Sequence, residues 1–154
     1  MRRLVPGALA ALLAAAPALA QQQLTIDEWN VPWGASTRPR DPFADRHGRV
    51  WFVGQTADYI GMLDVATGQF RRFELEPGAG PHNLIVDTAG MVWYAGNRAA
   101  YIGRLDPSTG AITRYPMPDS TVRDPHTLVF DRRGDIWFTA QGGNAIGRLT
   151  VSTG

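Results

Sequence analysis

The sequence predicts an all-β protein, a β-propeller of four-stranded antiparallel blades of which about three are present. Three tryptophans, Trp51, Trp93 and Trp137, recur at intervals of 42 and 44 residues, each inside a short apolar stretch. Gly, Pro, Asp and Ser occupy the joins between short apolar runs, as tight turns require. No segment carries a convincing helical period. A repeat of about 40–50 residues with four short strands is typical of a propeller blade.

Four further features repeat at the same two intervals, which makes chance a poor explanation of the tryptophan spacing. They are an Ile-Gly pair, a Thr-Gly pair, an Asp-x-x-Gly turn and a proline. Agreement among several independent columns identifies an internal repeat. In register, the columns are Ile60-Gly61, Ile102-Gly103 and Ile146-Gly147; Thr67-Gly68, Thr109-Gly110 and Thr153-Gly154; Asp45 with Gly48, Asp87 with Gly90 and Asp131 with Gly134; and Pro39, Pro81 and Pro125.

The second unit shows how one repeat divides into four strands. The pattern predicts strands over residues 83–86, 91–94, 101–105 and 111–115. The first and second are joined by the Asp87–Gly90 turn, and the third ends in the Pro107–Gly110 turn. Pro116 and Pro118 stop the fourth strand, because proline cannot donate to a sheet ladder.

The repeated residues predict the fold and say little about activity. We expect the Trp column to pack between blades rather than to line a ligand cage. The Asp-x-x-Gly column is interpreted as an Asx turn rather than a calcium site. The Ile-Gly column is expected to let neighbouring backbones approach closely.

The repeat boundaries divide the chain after residue 20 into a partial propeller, residues 21–154. The units cover about 39–80, 81–124 and 125–154, and residues 24–32 match the fourth strand of a unit, so we expect an opening outer strand there. Propellers usually have four to eight blades, and three cannot easily close a ring. The sequence therefore indicates a truncated chain, a partial gene, or a protomer whose self-association closes the propeller.

Residues 1–20 have the layout of a secretory signal peptide. Arg2 and Arg3 precede an Ala/Leu-rich run that is too short to span a bilayer, and Ala18-Leu19-Ala20 resembles a cleavage site. We expect a periplasmic or secreted protein with no membrane span. Removing the two arginines reduces the 15 basic residues to 13, against 14 acidic ones. The remaining chain therefore has almost no net charge and gives no electrostatic reason to expect binding to nucleic acid. The chain has no cysteine, which excludes disulfides, cysteine–zinc sites and thiol catalysis.

The repeated pattern resembles the streptogramin (virginiamycin B) lyase family. The pattern runs Pro-x-x-hydrophobic-x-x-Asp-x-x-Gly-x-hydrophobic-Trp-Phe, then Ile-Gly-Arg-Leu, Thr-Gly and Tyr-x-x-Pro, and it covers nearly all of residues 24–154. Members of that family are seven-bladed and open a cyclic depsipeptide by elimination, so the resemblance implies this activity. In the family's reaction, a base removes a proton next to the ester carbonyl, magnesium stabilises the enolate, and the carboxylate leaves. The expected partner is thus a small-molecule substrate.

The same resemblance implies the site residues. In the family, Pro-His pairs at the start of innermost strands supply the base and a partner from the neighbouring blade, which assigns catalytic roles to His126 and His82. An acidic residue two before the catalytic His and a Glu four after the Trp assign metal binding to Asp124 and Gln141. Gln141 departs from the family's Glu, which weakens a site for a hard cation. The first unit has Arg40 where the others have His.

Three alternatives to a catalytic lyase stay open at the level of sequence. The Pro-His pairs could be turns whose imidazoles bond backbone carbonyls. The chain could be a non-catalytic periplasmic propeller that binds a protein or a cell-envelope ligand, as Gln141 and Asn97 favour. A calcium-dependent lactonase-like hydrolase ranks last, since the innermost positions Asp41, Asn83 and Thr127 offer one carboxylate.

Overall fold

The computed structural model describes residues 24–154, so the signal peptide predicted over residues 1–20 lies outside the described residues. The described residues form strands joined by turns, and they contain no helix. None of them belongs to a helix that is long and apolar enough to cross a membrane. The strands are β1 (Pro39–Ala44), β2 (Arg49–Gly54), β3 (Tyr59–Asp64), β4 (Gln69–Glu74), β5 (Leu84–Val86), β6 (Val92–Gly96), β7 (Tyr101–Leu105), β8 (Ile112–Pro116), β9 (Pro125–Phe130), β10 (Ile136–Ala140) and β11 (Ala145–Leu149).

The strands form three antiparallel meanders, which confirms the predicted partial propeller. The first two sheets have four strands each, in the orders β1-β2-β3-β4 and β5-β6-β7-β8. The third sheet has three, in the order β11-β10-β9. We refer to these sheets as blades 1, 2 and 3. Of their innermost strands, β5 lies against both β1 and β9, so residues that begin adjacent strands come together.

The expected outer strand over residues 24–32 is not formed in this structure. Residues 24–31 carry no strand, and two bends follow at residues 32 and 33. A strand needs a neighbouring edge to satisfy its backbone donors and acceptors, and no described blade edge receives this segment. Trp33, just after it, packs edge-on against Tyr59 and Phe70 of blade 1 with ring centroids 5.0 and 5.9 Å apart.

The Asp-x-x-Gly column forms Asx turns, as expected, and also holds the tryptophans. In each blade one carboxylate oxygen accepts backbone N–H groups of the turn, while the other accepts the indole N–H six residues later. The Trp–Asp distances are 2.9, 2.9 and 3.0 Å for Trp51–Asp45, Trp93–Asp87 and Trp137–Asp131. Burial tends to raise the pKa of Asp45, but hydrogen bonds from Trp51, Arg49 and His47 outweigh it and lower this pKa to about 2.

The Ile-Gly column has a different role from the one expected. Each glycine pairs across β-strands with the aromatic residue that follows the Trp: Gly61 with Phe52, Gly103 with Tyr94 and Gly147 with Phe138. A Cβ at any of these glycines would overlap that aromatic ring. The glycine therefore makes room for a side chain folded across the neighbouring strand, and not for a second backbone.

The core lies between blades, in two clusters. The first joins the Trp51 face of blade 1 to the Tyr94 face of blade 2. The second joins the Trp93 face of blade 2 to the Phe138 face of blade 3. Trp51 and Trp93 are consequently 0% and 2% exposed, whereas Trp137 is 39% exposed, because no described element covers its face of blade 3. The predicted packing of the Trp column between blades is confirmed where a following blade is present.

Candidate active site

The site begins where the innermost strands begin, directly after the three register-related prolines. Here blade 1 presents Arg40, blade 2 His82 and blade 3 His126. In blades 1 and 3 the pairing with the second strand is interrupted at this point, between Arg40 and Phe43 and between Pro125 and Leu128. Such bulges turn side chains away from the regular alternation and are common beside active sites. The irregular backbone therefore takes Arg40 and His126 out of the regular alternation at the surface where the three innermost strands begin, which we call the mouth.

The two predicted catalytic histidines are in direct contact. Their ring centroids lie 3.4 Å apart with planes inclined by 38°. His82 is buried, with 5% of its surface exposed, and His126 is half-buried. The Nδ1 atom of His126 is 3.1 Å from the Thr127 hydroxyl, which engages one ring nitrogen and leaves Nε2 for another partner.

A carboxylate from blade 1 approaches the buried histidine. Asp41 Oδ2 lies 3.1 Å from His82 Nδ1, which is ion-pair distance, although the pair is not aligned as a hydrogen bond. Asp41 has a φ of 44°, in the left-handed region, within the irregular part of β1. Sequence reasoning gave Asp41 no part in the lyase site. The shared register with Asn83 and Thr127 was the signal that could have placed it at the mouth.

Burial is the main cause that lowers the pKa of His82 to about 4. Electrostatic interaction with His126 and Arg40 lowers this pKa further, and the carboxylate of Asp41 opposes the decrease. At neutral pH His82 is therefore an uncharged imidazole. A neutral ring is also the form that tolerates close contact with a neighbouring histidine.

We expect the stability of the protein to fall as the pH is lowered from about 6.5 to about 4. In this range the unfolded chain binds a proton at His82, near the ordinary histidine pKa of about 6.5, and the native protein does not. The free energy of unfolding therefore decreases with falling pH and levels off, for this group, below about 4. Urea unfolding measured across this range tests the expectation. The His82→Gln variant is the control, because it should lose this part of the slope; an unchanged slope would contradict the assignment.

The position four residues after each tryptophan carries an amide side chain, and two of the three form hydrogen bonds with residues of the mouth. Gln55 Oε1 accepts a hydrogen bond from the Arg40 guanidinium at 3.0 Å. Asn97 Nδ2 donates to the Pro125 carbonyl of the next blade at 3.0 Å. The third position is Gln141, whose side chain is exposed.

Asp124, whose carboxylate is predicted to bind metal, forms hydrogen bonds with the backbone in this structure. Asp124 accepts from the Gly142 N–H with both oxygens, at 2.8 and 2.7 Å. Its φ of 53° is matched at the register-related Arg38 and Gly80, with φ of 51° and 50°. The left-handed conformation before each proline is thus a repeated feature of the fold. From this position the Asp124 carboxylate accepts the backbone N–H of Gly142 in a neighbouring loop.

The residues predicted to hold magnesium do not form a complete site by themselves. Magnesium requires several oxygen ligands in near-octahedral geometry. Within residues 24–154, no three His, Asp or Glu side chains are grouped so that they could share a metal ion. Asp124 is turned to Gly142, and Gln141 beside it offers a neutral amide oxygen.

Comparison with known proteins gives a consistent family. A sequence model described as the virginiamycin B lyase family matches residues 18–154. A streptogramin B lyase structure is 35% identical with a TM-score of 0.74, covering 82% of this chain and 41% of its own. A catalytically inactive histidine-to-alanine variant of virginiamycin B lyase from Staphylococcus aureus, solved with quinupristin, is 32% identical with a TM-score of 0.73, covering 80% and 41%.

A gluconolactonase from Xanthomonas campestris, 18% identical with a TM-score of 0.61, shares the fold, covering 77% of this chain and 46% of its own. No curated protein matches the chain. The chain spans about two fifths of the length of the solved lyases that it matches.

Proposed function

This chain belongs to the virginiamycin B lyase family, and from that premise we propose that it is an exported, lyase-like protein that opens an ester of a cyclic depsipeptide-type small molecule by elimination. The observation that carries the proposal is the contact between His82 and His126 at the mouth of adjacent blades. Export is supported by the signal-like residues 1–20. A periplasmic or secreted location follows from the same residues.

His126 is the proposed base. Its half-buried ring is the more accessible of the two histidines, while the ring of His82 is buried against it. The Nε2 atom of His126 would take the proton from the carbon next to a carbonyl group. The electron pair of that C–H bond forms a carbon–carbon double bond, the neighbouring carbon–oxygen bond breaks, and the ester carboxylate leaves. A positioned base of this kind is typically worth about 10²–10⁴ in rate.

His82 would support the base through its charge state. Because its pKa is lowered to about 4, it stays neutral at working pH and adds no positive charge beside the proton-accepting ring. Magnesium, which the family resemblance implies, stays a prediction, since residues 24–154 supply no complete set of ligands.

The mass of the product tests the proposed reaction. We expect the full chain to convert quinupristin into a linear isomer of unchanged mass that carries a new carbon–carbon double bond. Hydrolysis of the same ester would instead add one water. Mass spectrometry with ultraviolet absorption distinguishes the two products. A hydrolysed product, or unreacted quinupristin after prolonged incubation, would contradict the lyase proposal.

A non-catalytic binding propeller is the second candidate, favoured by Gln141 and Asn97. The Asn97 amide is committed to the Pro125 carbonyl, and Gln141 carries no charge with which to hold a cation. Such a protein would present the same mouth to a protein or a cell-envelope ligand. Saturable binding of quinupristin without any product would favour this function over catalysis.

We also propose that the chain self-associates through the exposed face of blade 3. The corresponding faces of blades 1 and 2 are each buried against the blade that follows. Val129, Trp137 and Ile146 are exposed there, whereas Ile85, Trp93 and Ile102 of the matching face of blade 2 are buried against blade 3. Light scattering behind size exclusion should give a mass above that of one chain. Trp137→Arg should shift the protein toward monomer, with Val65→Arg, at another exposed site, as control. A monomeric, folded wild-type chain would contradict self-association.

A further inference from the structure

Asp41 has a left-handed backbone conformation, which is uncommon for residues other than glycine. Its φ is 44°, and it lies where the pairing of β1 with β2 is interrupted between Arg40 and Phe43. Left-handed backbone in a non-glycine residue costs free energy and persists where the surrounding structure enforces it. Here the distortion directs the carboxylate from blade 1 toward blade 2, where it lies 3.1 Å from His82 Nδ1.

The Nδ1 atom of His82 is a buried polar atom. The ring is 5% exposed, and among the described residues Nδ1 has no well-aligned hydrogen-bond partner. An unpaired buried donor is costly, and Asp41 is the acceptor that the structure brings within range. A carboxylate can only accept, so the favourable contact requires the proton of the neutral imidazole to be on Nδ1.

We propose that Asp41 is a positioning residue that holds His82 in the Nδ1–H tautomer and in the ring orientation against which His126 packs. The two contacts connect three successive blades: Asp41 of blade 1 to His82 of blade 2 at 3.1 Å, and His82 to His126 of blade 3 at 3.4 Å between ring centroids. A carboxylate on one ring nitrogen fixes the tautomer and the rotation of an imidazole. Asp41 acts through His82 and does not touch the reacting atoms.

Asn83 occupies in blade 2 the position that Asp41 occupies in blade 1, and it also contacts the following blade. Its Oδ1 accepts the Leu128 N–H of blade 3 at 2.8 Å. The position after the Arg/His column therefore connects each of the first two blades to the following one, through Asp41 in blade 1 and Asn83 in blade 2. The neutral amide reaches a backbone N–H, whereas the charged carboxylate reaches an imidazole, and this difference in chemistry indicates a specific task for Asp41.

The tautomer of His82 tests the proposal directly. Long-range ¹H–¹⁵N spectra of the full chain at neutral pH resolve the nitrogens of its three histidines, and the signals of His82 are assigned with His82→Gln. We expect the wild-type protein to carry the proton on Nδ1. Asp41→Asn should move His82 toward the Nε2–H form, and Asp41→Glu should retain the wild-type tautomer. Asp106→Asn makes the same charge change at an exposed turn and should leave His82 unaffected.

The outcome is independent of catalysis. A proton on Nε2 in the wild-type protein, or an unchanged tautomer in Asp41→Asn, overturns the proposal whether or not quinupristin is opened. The kinetic consequence rests on the proposed function: Asp41→Asn should lower kcat for quinupristin roughly tenfold, with little change in KM, and Asp41→Glu should recover part of the loss. Lyase activity that Asp41→Asn leaves unchanged would overturn the positioning role while leaving the lyase proposal intact.

Discussion

His126→Ala is expected to lower kcat for the opening of quinupristin by about 10²–10⁴-fold, because the proposed elimination then lacks its base. The loss should appear in kcat with KM nearly unchanged, since the imidazole contributes mainly to the transition state and less to substrate binding. Steady-state kinetics on the linear product measures both parameters.

His47→Ala is the matched control for this loss. His47 is exposed in the Asp45–Gly48 turn, away from the mouth, and it contributes its backbone N–H to Asp45 at 2.8 Å, which alanine retains. This variant should keep the wild-type rate. Equal rates for His126→Ala and wild type would show that His126 is not the base, and an equal loss in both variants would show that the effect is not specific to the site.

Gly103→Ala is expected to destabilise the fold by about 2 kcal/mol, with a Tm lower by roughly 6–10 °C. The new methyl group would overlap the ring of Tyr94, which is fully buried between blades 1 and 2. The ring cannot move freely, because its hydroxyl lies 3.2 Å from that of Tyr101 and its face belongs to the first core cluster. Thermal and urea unfolding measure the loss.

A double-mutant cycle separates this overlap from a general effect of alanine in a strand. In a Tyr94→Leu background the ring is gone, so adding Gly103→Ala should cost much less than in the wild-type protein. The two substitutions would then couple by 1 kcal/mol or more, on the order expected for residues in contact. Additive costs would mean that the glycine is required for a reason other than the tyrosine ring.

Much of the fold could be predicted from residues with a local role. The turn carboxylates Asp45, Asp87 and Asp131 act within six residues of themselves, so their spacing marks each blade. The Trp and Ile-Gly columns recur at the same intervals of 42 and 44 residues, so their spacing marks two further strands of each blade. The role of Gly103 was misjudged because its cross-strand partner, Tyr94, depends on the register of two strands, which sequence spacing alone does not specify.

The site could be predicted only in part. The Pro-His pairs were visible as repeated columns, and the structure places His82 and His126 in contact. For Asp124, the family resemblance implied a metal ligand, whereas the folded chain turns its carboxylate to Gly142, 18 residues away. Asp41 could be placed among the innermost positions but not in the lyase site, because its partner His82 lies in the next blade, 41 residues along the chain.

The sequence by itself determined the family, the all-β class and the repeating blade, because each depends on short-range turn chemistry, short apolar runs and a regular period. Only the tertiary structure decided which blades share a core, why Trp137 stays exposed when Trp51 and Trp93 do not, and which side chains meet at the mouth. Burial and the distances between Asp41, His82 and His126 are set by packing successive blades side by side. They come from contacts between residues far apart in the chain, which no local pattern encodes.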